Sequence, residues 1–165
     1  VAVVMAFAGI FPAKHYTKYI SWDILVTIAS ALAISTAMTR SGLADWLAFT
    51  LVTIAQDYSP RVVLALLYIV TNLITELITN NAAAAFAFPI ALSAASQLGI
   101  SPMPFCVAIC IAASASFCTP IGYQTNMIVQ GLGGYRFSDF VRIGLPLTLI
   151  TFALSMIFIP IFWHF

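Results

Sequence analysis

Five polar side chains, Asn72, Thr75, Glu76, Thr79 and Asn80, recur at helical spacing inside an otherwise apolar run over residues 62–98. On a helix they form one polar stripe. Polar groups buried in an apolar solvent cost free energy unless paired, so the stripe must face protein, water or a ligand. Interhelical hydrogen bonding suffices for Asn72 alone. The stripe as a whole runs into Thr79-Asn80-Asn81, a polar break near the middle of the run, and that favours a ligand site. Asn81 is expected to cap a second arm starting at Ala82. The first N–H groups of that arm lack intrahelical partners, carry partial positive charge and suit an anion. The last carbonyls of the first arm carry partial negative charge and suit Na⁺, with Thr79 and Asn80 oxygens completing the shell. One break thus offers an anion site beside a cation site, as in transporters with discontinuous helices. The four alanines that follow, Ala82 to Ala85, let a helix or a substrate approach closely, and helix packing alone accounts for them equally well.

A second break, Thr119-Pro120-Ile121-Gly122-Tyr123-Gln124-Thr125-Asn126, repeats the logic. Pro120 interrupts a helix and Gly122 permits unusual backbone angles. Thr125 is expected to cap the short helix that follows, with Asn126 a further polar group at its start. Ser114 and Ser116 lie just before. One such break can be a structural kink, but two close together match the transporter pattern.

Glu76 is the carboxylate set deep in an apolar segment. It can relay protons or help bind a cation, or it can anchor its own hairpin through hydrogen bonds; the residues leave both readings open. His15 and His164 sit at segment ends and read as interfacial. Cys106, Cys110 and Cys118 have no ligand-bearing neighbours and read as small core residues. No cofactor is expected. There is no G-x-S-x-G, H-E-x-x-H or P-loop pattern, and so no catalytic signature.

The elements that must position these groups follow from composition. Hydrophobic residues make up 62% of the chain and charged residues 7%, against about 25% charged in soluble domains. Such a chain cannot cover itself in water, so the bilayer is its solvent. A net charge of +1 with scattered basic residues excludes a nucleic-acid partner. The expected fold is all-α: one transmembrane transporter domain over residues 1–165, polytopic, with a re-entrant helical hairpin and a discontinuous helix. Residues 1–11 read as the end of a helix, closed by Pro12. Residues 23–38 read as a span, with Tyr19 and Trp22 at the interface. Residues 43–56 read as an interfacial or tilted helix and 57–61 as a turn. The run 62–98 is too long for one span and too short for two. It therefore reads as two short helices meeting at a polar tip, which is tolerated at membrane depth where buried or lining a cavity. Residues 104–118 lead into the second break, and Met127 to Val129 resume a helix that Gly131, Gly133 and Gly134 let the chain leave. Residues 135–142 form a polar connection before a last span, 143–165. If the hairpin does not cross, Lys14, Lys18, Arg136 and Arg142 share one side and Arg40 and Arg61 the other. The positive-inside rule makes the first set cytoplasmic in a cell (inner) membrane, so the hairpin enters from outside.

Thr75-Glu76-Leu77-Ile78-Thr79-Asn80-Asn81, followed by small residues and Pro89, resembles the hairpin motif of the divalent-anion/sodium symporter family, within the ion transporter superfamily. Ser116 to Asn126, with Gly131, resembles that family's second broken helix. Gly134 to Phe140 looks like bacterial permeases that carry TrkA-C-type soluble domains. The resemblance implies two inverted repeats, each with a re-entrant hairpin and a broken helix, of which this chain looks like the second. It implies an elevator-type homodimer, completed by an amino-terminal repeat, that moves dicarboxylates, citrate or sulfate with Na⁺. Carried over by position, Thr79, Asn80 and Asn81 stand at the motif Ser-Asn-Thr. Asn80 then contacts substrate, and Thr79, Asn81, Thr125 and Asn126 are expected to bind it as well. Thr75, Thr79, Asn80 and the Gly122 carbonyl form the cation site. Two departures, Thr-Asn-Asn for Ser-Asn-Thr and Tyr123-Gln124-Thr125 where dicarboxylate carriers have Thr-Pro-Pro, leave sulfate or another inorganic anion open as substrate. The rivals are a cation/proton antiporter or arsenite-type efflux permease, a membrane-embedded enzyme, and a structural membrane subunit. This half alone is expected to be inactive.

Overall fold

A computed structural model describes residues 22–54 and 59–165. The expectations for 1–12, Lys14, His15, Lys18, Tyr19 and the 55–58 stretch lie outside these residues. Among the described residues there are seven helices and no strand. They are α1 (Trp22–Arg40), α2 (Leu43–Ile54), α3 (Pro60–Thr75), α4 (Asn80–Leu98), α5 (Met103–Ser114), α6 (Gln124–Gly133) and α7 (Phe137–Phe162).

Local chemistry sets most boundaries. Gly42, at φ 74°, turns the chain between α1 and α2. Pro60 occupies the first turn of α3, where its missing N–H is one of the orphans anyway. Gly99, left-handed at φ 66°, ends α4 by returning its N–H to Ser96. At α7, Asp139 accepts from the Arg136 backbone N–H at 2.8 Å. The last span therefore starts at Phe137, six residues ahead of the expected 143, because Asp139 caps what reads in sequence as a polar connection.

Three further boundaries correct the expectations. The first arm ends at Thr75, so Thr79 and Asn80 do not continue its stripe. The second arm begins at Asn80 and its cap is Thr79, whose hydroxyl accepts from Ala82 N at 3.4 Å; Asn81 is not the cap. Thr125 is likewise no cap, since Tyr123 stands at the N-cap position of α6 without a side-chain bond. In addition α5 ends at Ser114, ahead of the expected Cys118.

Helix α4 is central and packs against α1, α2, α3 and α5, while α3 and α5 lie along each other. The packed faces are built from small residues. Ala83, Ala87, Ala91, Ala94 and Ala95 of α4 and Ala108, Ala112 and Ala113 of α5 are all buried. Without a hydrophobic drive between helices in lipid, such residues let backbones approach. On α3 the buried face runs Val63, Leu64, Leu67, Tyr68, Thr71, Asn72, Thr75, a helical repeat whose apolar half turns polar toward the break. Helices α4 and α7 are long and apolar enough to cross a membrane. The apolar side chains that α7 exposes, among them Ile143, Leu149 and Phe158, fit lipid or further membrane helices.

Candidate functional site

The polar end of α3 lies against the break between α5 and α6, residues 115–123, and supplies the hydrogen bonds that this stretch cannot make with itself. Asn72 Nδ2 donates to the carbonyls of Ala112 (3.2 Å) and Ala115 (2.9 Å). Thr75 Oγ1 donates to the Ala113 carbonyl at 2.7 Å. The Ala112 carbonyl also accepts from the Ala115 N–H, while the Ala113 and Ala115 carbonyls, at and just past the end of α5, take partners from α3. That exchange is why α5 stops at Ser114.

The break returns the bonds. Cys118 N–H donates to Glu76 Oε1 at 3.0 Å, and the Ser116 hydroxyl lies 3.4 Å from Oε2 and 3.2 Å from the Thr75 carbonyl. Thr119 Oγ1 donates to the Glu76 carbonyl at 2.8 Å and accepts from Gly122 N at 3.2 Å. Asn126 Nδ2 donates to the Ser116 and Thr119 carbonyls, at 3.0 and 3.1 Å, closing the loop from its far side. Glu76 is thus an anchor, but to the opposite break and not to its own hairpin. Unpaired backbone groups buried away from water cost up to several kcal/mol each, so this stitching is what permits irregular backbone here.

Within the lattice sits one tight cluster. Thr75 has a single hydroxyl proton, and the short bond to Ala113 takes it. The Asn80 amide group then faces three oxygens, Thr75 Oγ1 at 2.9 Å, the Ala113 carbonyl at 3.1 Å and the Gly122 carbonyl at 3.2 Å, among which its nitrogen shares two N–H donors. Gly122 reaches this position because it has no Cβ. An added Cβ would lie 2.6 Å from the Thr75 carbonyl and would overlap the Ser116 side chain. Two helix ends and one glycine therefore focus oxygens from both breaks on one amide.

Of the residues singled out in the sequence, Thr75, Asn80 and Gly122 come together. Thr79 is exposed and its hydroxyl is used in the α4 cap. Asn81 and Thr125 are exposed at the edges of the two breaks. Asn126 is half-buried and its amide nitrogen holds the loop. The Ala113 carbonyl was not foreseen, because no side chain marks it. Ser116 and Thr119 were visible only as polar neighbours of the break, and their partners on α3 lie about forty positions away in sequence.

Comparison with known proteins places the chain in a transporter family. The family model described as a citrate transporter matches residues 1–165. An uncharacterized transporter of Synechocystis is 41% identical over 90% of this chain, which covers 24% of that protein. Sodium/sulfate cotransporter 1 of Chlamydomonas reinhardtii is 38% identical over 88% of the chain and 17% of its own length. A sodium-dependent dicarboxylate transporter of Staphylococcus saprophyticus is 26% identical over 85% of the chain and 27% of its own length. The chain spans roughly a quarter or less of these relatives' lengths. They are transporters, which sets aside the enzyme reading. The chain belongs to the citrate transporter family, among the divalent-anion/sodium symporters.

Proposed function

We propose that this chain is the second repeat of a Na⁺-coupled symporter and builds one cation site and one wall of the anion site. The observation that carries the reading is the convergence of Thr75 Oγ1, the Ala113 carbonyl and the Gly122 carbonyl on the Asn80 amide, all within 3.2 Å. With the amide nitrogen turned in, its two N–H groups are shared among the three oxygens. With the amide oxygen turned in, the same positions offer four oxygens, the ligand type a hard cation takes, in a shell that is mostly uncharged and so suited to a monovalent ion. Glu76 Oε1 already accepts from the Cys118 N–H of the second break, and the Ser116 hydroxyl, shared with the Thr75 carbonyl, lies beside Oε2, which favours Na⁺ over a relayed proton.

The anion side follows from the helix ends. The first N–H groups of α4 lie next to Asn80, and those of α6 follow the second break; both ends attract negative charge. Asn81, Thr125 and Thr79 are exposed at these ends, so they can donate to an oxyanion, and Asn126 adjoins them while its amide nitrogen holds the loop. Cation and anion then share the Asn80 neighbourhood, and each lowers the electrostatic cost of the other. The names of the relatives support sulfate or a dicarboxylate as cargo. The α3–α4 pair acts as a re-entrant hairpin entered from outside the cell membrane, with Lys14, Lys18, Arg136 and Arg142 cytoplasmic. Together with an amino-terminal repeat, in a homodimer, it moves its cargo by an elevator-like alternating access.

The test is uptake of labelled sulfate and succinate by proteoliposomes holding the full-length protein, with and without an inward Na⁺ gradient. Na⁺-driven uptake of either, lost in Asn80→Ala, is expected. Uptake of neither, or uptake indifferent to Na⁺, overturns the reading.

A further inference from the structure

Helix α7 carries a buried glycine in its interior, Gly144, where glycine costs about 1 kcal/mol relative to alanine. The gain is close contact. A Cβ on Gly144 would sit 2.8 Å from Cys118 Cα and nearer still to the Phe117 carbonyl group. These are backbone atoms, which cannot swing aside as a flexible side chain would. One turn on, Thr148 Oγ1 lies 3.5 Å from Cys118 Sγ. Helix α7 thus offers a flat face, Gly144 and Thr148, to the 117–118 peptide of the second break. On its other side that peptide is held by α3, through the bond from Cys118 N–H to Glu76. Beside the contact a cavity of about 270 Å³ opens between α6 and α7, lined by Phe117, Asn126, Gly144 and Leu147 among others. Helix α6 holds the flanking Ser116 and Thr119 carbonyls through Asn126 but leaves the 117–118 peptide open on this side, so Glu76 and α7 bracket that peptide.

We propose that Gly144 is a positioning residue for the cation site. Contact between α7 and residues 117–118 fixes how far the second break stands from α3, and hence where the Gly122 carbonyl meets Asn80. The inference rests on the Na⁺ symport reading above. A methyl at Gly144 pushes 117–118 toward or past Glu76, carries the Gly122 carbonyl off its place and weakens Na⁺ binding, while the oxygens themselves remain. A fixed site that loses its supporting contacts typically loses 10–100-fold in metal affinity.

The experiment measures uptake against Na⁺ concentration in the full-length protein for wild type, Gly144→Ala, Thr148→Ala and, as a control on the same helix, Leu149→Ala, whose side chain is exposed. Gly144→Ala is expected to raise the half-saturating Na⁺ concentration at least ~10-fold while the maximal rate at saturating Na⁺ stays close to wild type. Thr148→Ala, which removes a contact without adding bulk, is expected to raise it about 2–3-fold, a smaller share of the same supporting effect. Leu149→Ala should leave it unchanged. If Gly144→Ala fails to fold, Thr148→Ala decides. Wild-type Na⁺ half-saturation in the variant that folds overturns the proposal, as does a fall in maximal rate alone. Failure of the symport reading shows separately, as uptake by the wild type that ignores Na⁺.

Discussion

The two helix breaks solve the same problem in opposite ways. The first, residues 76–79, is short and closes itself. The last turn of α3 returns its amide bonds to Asn72 and Ile74, and Thr79 caps the next helix from within the chain. The second, 115–123, is long and borrows: Asn72 of α3 satisfies its Ala115 carbonyl, Glu76 its Cys118 N–H, and Asn126 of α6 its Ser116 and Thr119 carbonyls. A self-capped break holds its shape alone. A borrowed break holds its shape only while docked, so its carbonyls are positioned by another element. The proposed cation cluster joins the Asn80 amide, just past the first break, to the Thr75 hydroxyl, the Ala113 carbonyl at the end of α5 and the Gly122 carbonyl of the second break. Its geometry should therefore report the docking of the two breaks against each other.

Substitutions on the borrowed side should have the largest effects. Glu76→Ala strands the Cys118 N–H and leaves the Ser116 hydroxyl with the Thr75 carbonyl as its acceptor; it should cost roughly 3 kcal/mol, since hydrogen bonds to charged groups are worth ~1.5–3 kcal/mol and the orphaned N–H adds to that. Thermal unfolding in detergent should show it, with Glu76→Gln intermediate because its amide oxygen still accepts from Cys118. Equal stability of all three would mean the borrowed break needs no loan. Gly122→Ala comes next. The methyl must displace Ser116 or the Thr75 carbonyl, at about 1–3 kcal/mol. The half-saturating Na⁺ concentration for uptake should rise with it, and an unchanged value would detach Gly122 from the cation site.

The self-capped side should respond less. Thr79→Ala removes the α4 cap and should cost ~1 kcal/mol, read in the same melts. A cost as large as that of Glu76→Ala would erase the contrast. Smallest in stability is Thr125→Ala, an exposed site expected to stay within ~0.5 kcal/mol. Its effect should appear instead as a raised half-saturating anion concentration in uptake, and an unaltered value would remove Thr125 from the anion wall.

Much of this was legible in sequence, and the limits have a physical cause. The polar interruptions near 79–81 and 119–126 announced two breaks, and Thr75, Asn80 and Gly122 do converge. Helix ends were misplaced by a few residues wherever a distant partner set them. Thr75 ends α3 and Ser114 ends α5 because side chains and carbonyls of those two helices bond to each other, a pairing that no local pattern displays. Asn81 and Thr125 looked like caps because their types cap well, yet Thr79 has the extended backbone a cap needs, at φ −66° and ψ 148°. Glu76 read equally as anchor or relay until its partners were known. Gly144 carries a readable signal, a glycine inside an apolar helix, but its neighbour at 117–118 could not be named from sequence.

The central claim is that Thr75, Asn80, Ala113 and Gly122 together hold Na⁺. It is tested most directly by thermal unfolding of the purified full-length protein, without anion, in Na⁺ and in choline at equal ionic strength. A ligand that binds only the folded state raises its stability by an amount set by concentration over Kd. The account predicts stabilisation of the wild type by Na⁺, a smaller stabilisation of Asn80→Ala, and a full one of Thr125→Ala. Equal stabilisation of Asn80→Ala and wild type would contradict it.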